Sequence, residues 1–269
     1  MLGCGPNDSG SNPGGGIFLI INITIYNSPK RSPMKISIVI PTLNEGKYLE
    51  TTLFHLKQLK PYEIIVADSH STDNTIKIAK KYGCRVVQSR RGAASFGRNA
   101  GGWAAKGDVI LFLDADSIVF PNILDTIKKD FHDKKVTGWT CTIYGFTPSW
   151  KEQILYNMSN NLIDFLIKYA KKPHAAGISI AVRRHVFNKV KGFDENLKVM
   201  EDHDFAKRVG NLGEFMFSKE TCVYTSTRRM NKWGGLGLIK KYSKIYLKYM
   251  MNKKKFEENI NKVQYEAIR

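Results

Sequence analysis

Three short apolar runs, each ending in a cluster of polar side chains, constrain this chain more than any other feature. Ile36-Ser37-Ile38-Val39-Ile40 runs into Pro41-Thr42-Leu43-Asn44-Glu45. Glu63–Ala67 runs into Asp68-Ser69-His70-Ser71-Thr72-Asp73-Asn74, and Val109–Leu113 into Asp114-Ala115-Asp116. Helical patterns separate them. Leu49, Leu53, Leu56 and Leu59 share one face of Gly46–Leu59, Asp73–Tyr82 closes at Gly83, and a small-residue helix spans about Phe96–Ala105. With a short strand at Arg85–Gln88, this alternation predicts βαβ units and an α/β fold around a mostly parallel sheet. Val109–Leu113 is apolar throughout, as a central strand is.

In such sheets ligands bind beyond the carboxyl ends of the parallel strands, so the three polar clusters converge on one crevice. Taken singly they say less. Asp73 is an ordinary helix cap, and Asp114-x-Asp116 could be a plain acidic turn. Together, Asp114 and Asp116 are placed to share a hard divalent cation, Mg²⁺ or Mn²⁺, that bridges to diphosphate oxygens.

The remainder is less regular. Strands are expected near Val136–Ile143, Ile178–Val182 and Cys222–Tyr224, and helices near Trp150–Tyr169, His203–Val209 and Leu236–Met251. Residues 1–34 hold six of the 22 Gly and four of the nine Pro, much of it within Gly10–Gly16. That composition reads as a flexible head outside the fold, with Met34 as the expected true start. The four cysteines lie far apart without a C-x-x-C pair, which fits a reducing cytoplasm rather than a disulfide scaffold or structural zinc site. No apolar run reaches the roughly 18 residues of a membrane span. Ile17–Tyr26 is broken by Asn22 and Thr24, and lacks the flanks of a signal peptide.

The ordered set Ile38-Val39-Ile40-Pro41-Thr42-Leu43-Asn44-Glu45, Asp68-Ser69-x-Ser71-Thr72-Asp73, Arg98-Asn99-x-Gly101 and Phe112-Leu113-Asp114-Ala115-Asp116 resembles family 2 glycosyltransferases of the GT-A fold. Gly192-Phe193-Asp194-Glu195 and Glu201-Asp202-x-Asp204 continue the likeness, which covers roughly residues 35–230 as the catalytic domain. The resemblance implies a nucleotide-sugar donor, UDP-linked by preference, a divalent cation, and inversion at the anomeric carbon. It puts Pro41, Thr42 and Glu45 in the nucleoside pocket, Asp68 on the base, Arg98 near the donor, and Asp114 on the ribose and metal. It makes Asp116 a direct metal ligand and Asp202 the general base that takes the acceptor hydroxyl proton. Glu201 would orient the acceptor, Gly177 would let it approach closely, and Arg228 and Arg229 would grip the diphosphate. Each has a plainer alternative: an acidic helix start for Glu201 and Asp202, a basic surface for the two arginines. His70 near the donor and His174 near the acceptor are weaker candidates. Some members of the family supply a late His or Asp as an extra metal ligand, whereas the last histidine here is His203, which leaves the metal to Asp116, the diphosphate and water.

Charge remains to be placed. Lys+Arg number 42 against 24 Asp+Glu, a net of +18, which calls for a polyanionic partner. Seven lysines fall between Leu236 and Lys255, opposite Leu238, Ile239, Tyr242, Ile245, Tyr246, Tyr249 and Met250. Residues 231–269 therefore read as a basic amphipathic tail whose 236–255 helix suits an anionic membrane surface at the cytoplasmic face, or else packs on the domain. The acceptor is expected to be a glycan or a lipid-linked hydroxyl. A polyprenyl-phosphate acceptor would need no base, which speaks against it. A nucleic-acid partner finds no helix-turn-helix, zinc-finger or RNP-type motif.

Overall fold

The computed structural model describes residues 34–147 and 149–234, with residues 237, 240, 244, 245 and 249 beyond them. These belong to one contact unit, Met34–Arg269. The first half alternates as expected: β1 (Ile36–Thr42), α1 (Gly46–Gln58), β2 (Glu63–Asp68), α2 (Thr75–Lys81), β3 (Arg85–Gln88), α3 (Ala94–Ala104) and β4 (Val109–Leu113). There follow β5 (Ser117–Val119), α4 (Ile123–Asp130), β6 (Val136–Gly145), α5 (Trp150–Lys168), β7 (Ser179–Arg183), α6 (Arg184–Lys189), α7 (Glu201–Gly210), β8 (Glu214–Thr225) and α8 (Arg228–Trp233).

The eight strands form one sheet in the order β3-β2-β1-β4-β7-β6-β8-β5. β1 pairs in parallel with β2 and β4, and β2 with β3. β7 runs antiparallel between β4 and β6, β8 is parallel to β6, and β5 closes the edge antiparallel to β8. The ends of β1, β2, β4, β6 and β8 and the start of β7 therefore share one side of the sheet.

Side chains alternate across the sheet. Ile38, Ile40, Leu111 and Leu113 meet Leu49, Leu53 and Leu56 of α1 on one face. Val39, Ile110 and Phe112 meet Phe187, Phe193 and Phe205 on the other. Phe112 anchors that second core, with ring centroids 5.1–6.2 Å from those three phenylalanines. The small-residue helix α3 lies directly on β1. A Cβ on Gly101 would stand 2.3 Å from Val39 Cγ1, so nothing larger than glycine fits there.

Four elements went unread in the sequence: β5, α4, α6 and α8. β8 begins eight residues before the expected strand at Cys222–Tyr224. Its register against β6 shifts where Cys141 faces Ser218 and Thr142 faces Cys222, so Lys219-Glu220-Thr221 bulge out and break the apolar pattern. Among the described residues no helix is long and apolar enough to cross a membrane. Most of the expected 236–255 helix lies outside the described residues. Its described apolar members, Ile245 and Tyr249, pack against Leu197, Val199 and Met200, and the Tyr249 hydroxyl donates to Asp204 Oδ1 at 3.1 Å. For these two residues the bilayer-facing expectation is corrected: they face the protein.

Phe112→Ala should lower unfolding free energy by about 3–5 kcal/mol, because the three-phenylalanine contact cannot collapse onto the void. Urea denaturation would measure this, and a loss below about 1 kcal/mol would mean the aromatic core is not the anchor of that sheet face.

Candidate active site

Asp68 ends β2 without any exposed surface. Its carboxylate accepts from Ser71 N at 2.9 Å, Ser71 Oγ at 2.5 Å and Thr42 Oγ1 at 3.2 Å. These bonds shape the 69–74 loop, with Oδ1 taking both hydroxyls and Oδ2 only the Ser71 N–H. Asp73 does more than cap its own helix. It accepts from Thr75 N at 3.0 Å and Gly46 N at 3.0 Å, joining the starts of α1 and α2. Burial pushes its carboxyl up, but the bonds from Thr75 and Gly46 outweigh this and hold it below the usual range. His70 sits at φ 62°, and its carbonyl accepts from Arg91.

Two arginines organise the crevice. Arg228 grips Glu45 through both terminal nitrogens, at 3.0 and 3.1 Å, and reaches Asp116 Oδ2 at 2.9 Å. Its guanidinium lies 4.9 Å over the Tyr48 ring. Asp116 also accepts from Thr225 Oγ1 at 3.4 Å. Burial, with help from Asp116 and Asp114, raises the Glu45 pKa despite Arg228. Pro41 lies behind this cluster against α3, 2.8 Å from where a Gly97 Cβ would be. The Arg229 side chain lies outside the described residues.

Arg98 projects from α3 and is 4% exposed. Nη1 donates to Glu201 Oε1 at 2.8 Å, and Nη2 donates to Asp114 Oδ1 and to the Gly177 carbonyl, both at 3.1 Å. Gly177 is small for this reason, since a Cβ there would stand 2.5 Å from Arg98 Nη2. The close approach expected of an acceptor is made by Arg98 itself. The Gly177 N–H donates to Asp202 Oδ2 at 2.7 Å, and Asp202 Oδ1 accepts from His203 N at 2.8 Å. Asp202 thus sits in the first turn of α7, where the helix dipole favours a carboxylate. Met200, at φ 69°, turns the chain into that helix. Asp204, quoted with Asp202 in the sequence motif, is turned away into bonds with Arg208 and Tyr249.

Burial and the adjacent Asp202 carboxylate push Glu201 up to about 7, against the pull of Arg98. Behind Asp202 the His174 and His203 rings lie 4.4 Å apart, a pairing that nothing in the spacing signalled. Burial and His174 bring His203 down to about 4, while burial lowers His174 against the nearby Asp202. Tyr48, Thr225 and His203 are the site residues to which sequence reasoning gave no role, while Phe193 stood within a quoted motif and His174 was a weak candidate. Phe193 lies 5.6 Å beneath the Arg98 guanidinium. Tyr48 had a local signal as well: an aromatic in the first turn of the helix that follows Glu45.

Among the described residues, no three His, Cys, Asp or Glu side chains converge on a point that could hold a metal ion. The Asp114 and Asp116 oxygens are hard donors on one turn, each paired with a guanidinium. The space beside Asp116 is about 210 Å³, lined by Tyr48, Phe146, Ser226 and Thr227 among others. A larger cleft of about 440 Å³ opens beside Lys135, Lys189 and Glu214, at the opposite side of the sheet, and contains none of this chemistry.

Residues 37–191 match the family model "Glycosyl transferase family 2", and the chain belongs to that family. It is 37% identical over 107 residues to the glycosyltransferase GlyG of Streptococcus pneumoniae, covering 37% of this chain and 36% of that protein. It is 26% identical over 216 residues to the O-antigen chain rhamnosyltransferase WbaN of Salmonella anatum, covering 73% and 66%. The chain spans only about a third of the length of GlyG, YibD and TarP, three of the curated relatives it matches. Among solved structures, Staphylococcus aureus TarS superposes at a TM-score of 0.60 with 22% identity, over 77% of this chain and 39% of that one. The Pyrobaculum calidifontis mannosyltransferase PcManGT, solved with GDP-Man and Mn²⁺, superposes at 0.57 with 18% identity, over 72% and 57%. These likenesses establish the α/β GT-A fold.

The two perturbed groups make a pH prediction. Glu201 ordinarily titrates at 4.5 and His203 at 6.5. As pH falls from 7 to 4.5, the folded chain protonates Glu201 before the unfolded chain does, which stabilises the fold. Over 6.5 to 4 only the unfolded chain protonates His203, which destabilises it. The effects oppose one another in the wild type. His203→Gln should therefore gain on the wild type by about 2–3 kcal/mol as pH falls from 7 to 4.5, measured by urea unfolding. A difference that stays constant with pH would show that His203 titrates alike in both states.

Proposed function

We propose that this chain is an inverting glycosyltransferase that moves a sugar from a nucleotide-diphosphate sugar to a hydroxyl of a glycan or lipid-linked acceptor. One observation carries the reading. Arg98 ties Asp114, on the strand end that faces the donor, to Glu201, the neighbour of the proposed base Asp202. Donor and acceptor chemistry thus share one crevice.

Inversion in a single displacement requires a base opposite the leaving diphosphate, and Asp202 is held for it. The bonds from Gly177 N and His203 N fix its carboxylate. A positioned carboxylate of this kind contributes about 10²–10⁴-fold. Glu201, near neutrality in its titration, is suited to donate or accept a bond to an acceptor hydroxyl. Arg228 holds Glu45 and Asp116 and would transfer its fork to the diphosphate as the donor enters, the geometry that favours arginine at such groups.

The donor set of Asp114 and Asp116 fits a divalent cation that takes its remaining ligands from the diphosphate and water. When bound, such an ion would neutralise charge on the departing nucleotide. One similar fold was solved with UDP-GlcNAc and another with GDP-Man. A preference for uracil would rest on Asp68, at the end of β2.

Asp202→Asn should keep donor affinity within about threefold while transfer falls by about 10²-fold or more. Asp116→Ala should lose the thermal stabilisation that Mn²⁺ adds to the nucleotide-sugar complex. Product anomeric configuration read by NMR, together with donor binding by calorimetry, checks the proposal. A retained configuration, or an Asp202→Asn variant as active as the parent, would remove it.

A further inference from the structure

α5 presents an unusual outer face. Trp150, Ile154, Met158, Leu162, Phe165 and Tyr169 are all exposed, Tyr169 by 72% and Trp150 by 66%. At 100° per residue these positions fall within an arc of about 120°, along a helix about 28 Å long. The opposite face is already committed to the fold. Ile163 and Ile167 enter the second core, and the Asn160 side chain clamps the Ile143 backbone N–H and carbonyl at 3.0 and 2.9 Å. The outer stripe is therefore surplus to folding, and a contiguous apolar patch of this length marks a binding surface.

Its chemistry selects the partner. Lys151 stands beside Trp150, and Lys168, Lys171 and Lys172 gather at the other end around Tyr169. Of these lysines only Lys168 is paired within the helix, at 3.9 Å from Asp164 Oδ1 among the described contacts. Asp164 is turned inward onto Lys219 at 2.6 Å, and Glu152 lies in the first turn, off the stripe. Aliphatic side chains at the centre, aromatic rings towards the ends and lysines at the rim describe a helix lying in a lipid headgroup layer. The net charge of +18 adds long-range attraction to an anionic surface.

The location gives the surface a purpose. α5 starts a few residues beyond Phe146, which lines the space beside Asp116, and Phe146 is itself exposed. Past its far end the chain runs through Pro173 and His174 to Gly177, bonded to Asp202 and Arg98. Both ends of the helix thus lead into the crevice. We infer that the outer face of α5 is a docking surface for an anionic lipid bilayer, which sets the mouth of the crevice beside the membrane plane. The binding itself does not depend on the proposed reaction, and it assigns the membrane contact to α5, where the sequence had pointed to 236–255.

The test is co-sedimentation of the full chain with phosphatidylcholine vesicles, with and without phosphatidylglycerol. The parent should bind the phosphatidylglycerol vesicles, more weakly as salt rises. Met158→Glu/Phe165→Glu should weaken that binding about tenfold or more, at unchanged thermal midpoint and unchanged donor affinity. Replacing Lys253, Lys254 and Lys255 by Gln should leave most of the binding in place. The inference is overturned if the parent ignores anionic vesicles, if the double variant binds them like the parent, or if the tail variant alone abolishes binding. It is equally overturned if the double variant converts a parent dimer to monomers with vesicle binding unaffected, which would make the stripe a contact between copies.

Discussion

A buried guanidinium dictates the shape of this site. Arg98 leaves almost no surface to water, and a buried cation is tolerated only when opposite charge and acceptor oxygens surround it. Its partners come from the end of β4, the loop before β7 and the start of α7. Those three segments, far apart in sequence, are thereby held within one hydrogen-bond shell. Removing both Asp114 and Glu201 would leave charge unpaired in the protein interior, a penalty larger than the loss of an ordinary surface ion pair.

The second arginine has the complementary task. Glu45 and Asp116 would repel one another across the crevice, and Arg228 sits between them, with Tyr48 beneath its plane. Under the proposed function, a diphosphate entering the crevice would meet a cation already in place between two carboxylates. One arginine is locked by burial between Asp114, Glu201 and the Gly177 carbonyl. The other is partly exposed, at 19% of its side-chain surface, and is suited to exchange partners.

Much of the fold was legible because its strands are apolar, short and punctuated. β1, β2 and β4 and the helices between them follow the pattern of Leu49, Leu53 and Leu56 and of the strand-end polar clusters. What escaped notice did so for physical reasons. The bulge at Lys219-Glu220-Thr221 hides the first half of β8 behind polar residues. Arg98 and Glu201 stand 103 positions apart, and no local spacing reveals that they touch. Asp68 was legible as a strand-end acid, but its burial depends on Ser71 turning back onto it. The helix at Trp150 was visible too. Its outer face was not, because apolar residues lie on both sides and only packing tells which side is inward.

Arg98 is proposed to hold the donor and acceptor halves of the site together, and Arg98→Lys tests this most directly. A lysine keeps the charge but cannot reach Glu201, Asp114 and the Gly177 carbonyl at once, because its ammonium lacks the planar fork. Steady-state transfer and donor calorimetry on a folded Arg98→Lys chain should show kcat down by about tenfold or more and donor affinity weakened with it. Parental values for both would contradict the claim that this side chain couples the two halves of the site.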